Sequence, residues 1–248
     1  MTNQLGDYNL WLVLLSYGVS VAGALTGLLM TRYIRQTDGG ISFLWLAAAS
    51  LVIGGCGIWA MHFLGMIAYD PGAMVSYDIA ITATSFVVPV LFTGIGLYCV
   101  TRWGGTAAAL LIGGVFMGSG VATMHYSGMA AMRIAATMRY DSVLLIASLG
   151  IAVAASVVAL WVIERVGGVL RFASAPVLGI AVCGMHYTGM AAMRLTATGE
   201  SVDYFNGAIT ESLMSLPVTV IALSACAAGI YMVIGESHRR HMSARAAA

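Results

Sequence analysis

The chain has 248 residues, is 60% hydrophobic and only 8% charged, and carries a net charge of +1. That is far from the roughly one-quarter charged content of a soluble domain, and no run of positive charge exists to track the phosphates of a nucleic acid. The apolar residues fall in long runs of about 20, the length a helix needs to cross a bilayer, without the strict alternation of a membrane barrel.

The first apolar run covers 9–31. Asp7 precedes it and no basic stretch leads it, so it is expected to stay as a transmembrane helix rather than be removed as a signal peptide. A second span is predicted over 41–68, and five more over 79–101, 106–132, 142–163, 170–193 and 213–235. The breaks are chemically plain: Arg32 to Gly40, Asp70 to Asp78, Arg102 to Gly105, Arg133 to Asp141, Glu164 to Gly168 and Leu195 to Ser212. Residues 1–235 are read as one transmembrane domain and 236–248 as a tail.

All eleven basic side chains are arginines. Arg32, Arg35, Arg102, Arg165, Arg171, Arg239, Arg240 and Arg245 follow spans 1, 3, 5 and 7 or begin span 6, whereas only Arg133, Arg139 and Arg194 lie on the opposite side. The positive-inside rule puts the larger group in the cytoplasm, with the N-terminus outside and the C-terminus inside. Gly23 with Gly27, and Gly114 with Gly118, have the four-residue spacing that lets membrane helices approach closely. Cys56, Cys99, Cys183 and Cys226 all sit in apolar runs and form no CxxC pair, so a zinc ribbon or thioredoxin-type motif is not expected.

Spans 2, 4 and 6 end on one motif. It reads Met61-His62-Phe63-Leu64-Gly65-Met66, Met124-His125-Tyr126-Ser127-Gly128-Met129 and Met185-His186-Tyr187-Thr188-Gly189-Met190. The histidines are 63 and 61 residues apart, so the first six spans form three two-helix units and the seventh is extra. Each motif helix runs from cytoplasm to exterior, which places the three imidazoles in the outer half of the membrane. Ionisable groups there are expensive to keep, and three in register argue for a site.

Residues three, four and seven apart share a helix face. Met66, Met129 and Met190 therefore flank their histidines, with Met132, Met193 and Cys183 as further sulfur donors on that side. Imidazole with thioether is a soft, neutral ligand set that suits copper, above all Cu(I), better than the oxygen-seeking ions. His62, His125 and His186 could meet at one centre or be split between two. Methionine also serves as adaptable packing, and a membrane histidine can simply bond between helices. Tyr126 and Tyr187 either order a bound ligand or bond across helices, Ser127 and Thr188 bond to their own helices, and Trp59 is read as a pocket wall. Gly65, Gly128 and Gly189 are close-approach positions. Arg133 and Arg194 each follow their histidine by eight residues, where the first unit has Asp70, so Asp70 is expected to pair with one of them at the outer rim. Asp70, Asp78, Glu200, Asp203 and Glu211 lie in outer loops and form no intramembrane pair, so catalysis is not expected. His238 and His241 belong to the basic tail and are read as solvated or lipid-facing.

At these motifs the chain resembles the MHYT family of bacterial integral membrane sensor domains. Met185 to Thr188 matches the Met-His-Tyr-Thr pattern in full, Met124 to Ser127 departs only at serine, and Met61 to Leu64 keeps only Met-His. The resemblance covers essentially the whole chain. It implies a multi-pass protein of the bacterial inner membrane that binds copper through these histidines and methionines and thereby detects oxygen, carbon monoxide or nitric oxide. It also implies a cytoplasmic GGDEF or EAL output domain acting on cyclic di-GMP; none is present here, so the chain is either a sensor part of a longer protein or a stand-alone member. Three rivals remain open. One is a haem electron-transfer protein with two histidines as axial ligands. Another is a copper or small-solute transporter, although such proteins tend to have inverted repeats. The third is a metal-free channel or lipid-binding bundle.

Overall fold

A computed structural model describes residues 7–246. It contains seven helices long and apolar enough to cross a membrane: α1 Leu10–Thr31, α2 Phe43–Ile67, α3 Ile79–Trp103, α4 Ala107–Ala130, α5 Ser142–Arg165, α6 Gly168–Ala192 and α7 Glu211–Ala246. The protein is a seven-helix membrane bundle. Five helices start where a short polar side chain accepts from the first free backbone amides. Asn9, Ser42, Asp78, Thr106 and Asp141 cap α1 to α5 in turn.

The first six helices close into a ring. Each packs on its sequence neighbour, and α6 returns to pack on α1. Glycines set how closely. A methyl at Gly23 of α1 would meet the backbone nitrogen of Gly57 in α2 at 2.5 Å, and one at Gly54 would meet the Pro89 carbonyl oxygen of α3 at 2.6 Å. Gly114 and Gly118 of α4 face the backbone of α5 in the same way. The seventh helix lies outside the ring against α1 and α2, where Gly229 faces Thr26 and Met30.

Three features differ from the sequence expectation. Helix α2 is a π-helix over Leu51–Ala60 and returns to α geometry at Met61. Such wide turns are rare and frequently accompany functional sites; hydropathy carries no trace of them. Helices α4 and α6 stop at Ala130 and Ala192, so Met132 and Met193 belong to strands and do not continue the histidine-bearing helical faces. Helix α7 runs on through the predicted tail, where Glu236 pairs with Arg239 and Arg240 and the Arg240 guanidinium lies 4.7 Å from the centre of the Tyr33 ring.

The connections at the histidine end are short antiparallel strands. Strand β1 Asp7–Tyr8 pairs with β2 Tyr69–Asp70, and β3 Ser76–Asp78 lies between β4 Met132–Arg133 and β7 Ala208–Thr210. Strand β5 Ala136–Tyr140 pairs with β6 Met193–Ala197. Pairing satisfies backbone groups that would otherwise sit unbonded over an apolar core. The long segment after α6 is thereby pinned across this end at both of its extremities.

Candidate metal centre

His62, His125 and His186 sit on α2, α4 and α6, all fully buried. The π turns of α2 finish one residue before Met61, so they set the rotation at which His62 enters the bundle. Although far apart in sequence, the three rings meet. Their Nδ1 atoms form a triangle with edges of 3.0, 3.1 and 3.3 Å, and the rings stand nearly perpendicular to one another at centroid separations of 4.9 to 5.1 Å.

The surroundings repeat with the same cyclic order. The Nε2 of His62 abuts Gly128, that of His125 abuts Gly189, and that of His186 abuts Gly65, each in the place a β-carbon would fill. Each motif glycine is thus a socket for the histidine of the neighbouring unit. Outside the sockets stand hydrogen-bonded posts. Tyr126 bonds Ser148 of α5 at 2.6 Å, and Tyr187 bonds Ser16 of α1 at 3.1 Å. In the first unit Phe63 has no hydroxyl, and Trp59 takes over by donating Nε1 to Ser85 of α3 at 3.1 Å. The three units therefore surround the histidines with approximate three-fold symmetry.

The triangle has a hydrogen-bonding deficit. A neutral imidazole nitrogen is either a donor or an acceptor. Three nitrogens in mutual contact cannot all be matched, because at least two must carry the same role and face each other. Each Nε2 is also buried without a partner among the described residues, and unmatched buried polar groups are costly. A cation shared by three Nδ1 lone pairs removes the conflict at the centre. The circle through the three nitrogens, drawn from edges of 3.0 to 3.3 Å, has a radius of about 1.8 Å, close to the roughly 2.0–2.1 Å of an imidazole–metal bond. The residues present fit a small metal ion, and this is the one cluster of at least three metal-ligating histidine, cysteine or acidic residues among the described residues.

The other candidates divide. Met66, Met129 and Met190 are buried in the core, as are Met61, Met124 and Met185. Met132 and Met193 are buried too, but in strands opposite Tyr77 and Tyr140. Cys183 is a partly buried free thiol. Tyr126, Tyr187 and Trp59 bond across helices as posts. Ser127 and Thr188 bond to carbonyls of their own helices.

At the rim the expected Asp70 pairing fails. Asp70 accepts from the Gly72 amide, and its backbone runs opposite Asp7. Arg133 pairs instead with Asp78 at 2.5 Å and donates to the Asp203 and Asn206 carbonyls, while Arg194 reaches Asp141 at 4.0 Å. Neighbouring strands decide these partners. Asp78 caps α3 as well, and its bond from the Ile81 amide, reinforced by Arg133, holds its carboxyl below the usual carboxylate range. Sequence reasoning missed the serine posts. A signal was there: Ser85 and Ser148 are separated by the same interval as His62 and His125.

Three consecutive stretches, residues 55–113, 118–175 and 179–246, match the family model described as the MHYT bacterial signalling protein N terminal repeat. The chain belongs to the MHYT family. It is 34% identical over 232 residues to the bifunctional diguanylate cyclase/cyclic di-GMP phosphodiesterase MucR of Pseudomonas aeruginosa, which covers 89% of this chain and 33% of MucR. It is 34% identical to the signaling protein YkoW of Bacillus subtilis over 75% of this chain and 24% of that protein. The cyclic di-GMP phosphodiesterase NbdA of P. aeruginosa is 30% identical over 79% of this chain and 25% of its own. The MHYT chain thus spans a quarter to a third of these relatives. No solved structure matches it.

Proposed function

We propose that this MHYT domain is a copper-dependent sensor of the bacterial inner membrane, with His62, His125 and His186 holding the ion through Nδ1. The observation that carries the reading is the nitrogen triangle, which cannot satisfy itself and which a shared cation satisfies. Copper is favoured over other ions by the chemistry around it. Met66, Met129 and Met190 are buried four residues beyond their histidines and the cluster holds no carboxylate, and soft neutral donors suit Cu(I). When bound, copper supplies a redox couple and a site for oxygen, carbon monoxide or nitric oxide.

The chain's own residues do the rest. The sockets at Gly65, Gly128 and Gly189 hold each imidazole through the neighbouring helix, so a shift at the centre is felt by α2, α4 and α6 together. Helix α2 packs on α7. With the arginine-rich end in the cytoplasm, α7 carries the shift to a GGDEF or EAL output domain attached there or to a partner. The relatives named for cyclic di-GMP turnover support that assignment. The haem alternative fits poorly, because nitrogens 3.0 to 3.3 Å apart leave no space for a macrocycle between two of them.

The test is elemental analysis of protein purified without chelator, beside a variant with all three histidines replaced by alanine. Copper in the wild type and its loss in the folded variant are expected. Equal copper in both ends the proposal, and a strong Soret band in place of copper assigns the site to haem.

A further inference from the structure

The ring of six helices is not filled to its axis. A cavity of about 50 Å³ runs inside it, lined by α1, α2, α4, α5 and α6. Its position relative to the histidines is read from three residues. Ile58, Val121 and Val182 all line it, and each lies four residues before a triad histidine, so the three side chains form a layer about one turn inside the nitrogen triangle. Met185, next to His186, also lines it.

Below that layer the wall is apolar, with Met117 and Leu178 a further turn down and Ala155, Ala159 and Ala181 contributed by α5 and α6. Two hydroxyls enter the lining, and the one on Ser20 is taken by the Gly57 carbonyl at 3.0 Å, leaving Ser156. A water needs about 10–15 Å³ of such space and two to four polar partners, and apolar cavities without them stay dry. The lumen has the space and lacks the partners. A charged or strongly hydrogen-bonding ligand is excluded for the same reason.

We propose that this lumen is a binding site for a small, neutral, hydrocarbon-soluble molecule of two or three heavy atoms, which reaches the histidines from within the bundle. The strands close over the opposite side of the triad, so the lumen is the apolar approach. Such molecules partition into lipid tails, and the lumen extends their solvent to within one helical turn of the nitrogens. The site deepens the sensing role proposed above, but its occupancy does not depend on copper.

Xenon is the probe, because it reports dry apolar cavities without chemistry. Metal-stripped full-length protein is exposed to xenon under pressure, and binding is followed by xenon-129 NMR and located by crystallography. One site in the lumen is expected. Ala155→Phe fills the lumen and should abolish it. Ala154→Phe adds the same ring on the exposed face of α5 and should leave it intact, which separates filling from misfolding. Xenon absent from the wild-type lumen, equal binding in both variants, or a lipid chain occupying the cavity each overturns the proposal. Because the measurement uses stripped protein, failure of the copper reading leaves this result unaffected.

Discussion

Replacing Gly128 by alanine places a methyl group on the Nε2 of His62. A carbon and a nitrogen need about 3.5 Å between them and the methyl would stand 2.2 Å away, so the ring must retreat by about 1.3 Å. Its Nδ1 already stands 3.1 Å from His125 and 3.0 Å from His186, so the retreating ring is pressed against both. Overpacking of this kind costs about 1–3 kcal/mol, partly offset by up to about 1 kcal/mol from the better helix propensity of alanine. Displacing a ligand by this much should weaken metal binding about 10–100-fold, as loss of a supporting shell does. Gly184→Ala is the control, since a methyl there meets nothing within 4 Å and should gain about 0.5–1 kcal/mol. The assay is detergent-solubilised unfolding together with copper titration against a competing chelator. Gly65→Ala and Gly189→Ala should behave like Gly128→Ala, because the sockets are cyclically equivalent. If Gly128→Ala binds copper as tightly and unfolds as late as Gly184→Ala, the socket argument is wrong.

Asp78→Asn removes the charged partner of Arg133, while the amide oxygen keeps the cap on α3. The Asp78 carboxyl titrates below its ordinary 3.8 in the folded state, so its stabilisation is present above that value and is lost as pH falls through the folded one. The gap in thermal stability between variant and wild type should therefore be open at neutral pH and close in acid; a gap independent of pH counts against the ion pair. Tyr126→Phe deletes the 2.6 Å post to Ser148 and should cost about 0.6 kcal/mol, at most about 1.7, with copper stoichiometry unchanged. Gly23→Ala drives a methyl into the α2 backbone, whereas one at Gly18 meets nothing. Unfolding measurements should find the first strongly destabilised and the second near wild type, and matching stabilities would refute the packing assigned to α1 and α2.

Much of this was legible without coordinates. Long apolar runs located all seven helices, because hydrocarbon thickness dictates their length. The recurrence of Met-His marked the histidines, since a buried imidazole in lipid is rarely accidental. The motif glycines were legible as places of close approach, though not what approaches them. The cap was illegible: strands of two to five residues carry too little periodicity to stand out, and their partners come from distant connections. For that reason Asp70 was given the wrong neighbour, and Met132 and Met193 were placed on helices that had already ended.

By itself the sequence determined the kind of molecule, a repeated membrane bundle with one histidine per unit, because burial in lipid constrains composition and length locally. Which nitrogen faces which, that each histidine rests in its neighbour's glycine, and that a dry lumen lies beneath them were decided only by tertiary structure. Those relations join residues about sixty or more positions apart. They depend on how helices rotate against one another, including the π turns of α2, and no local pattern encodes that rotation.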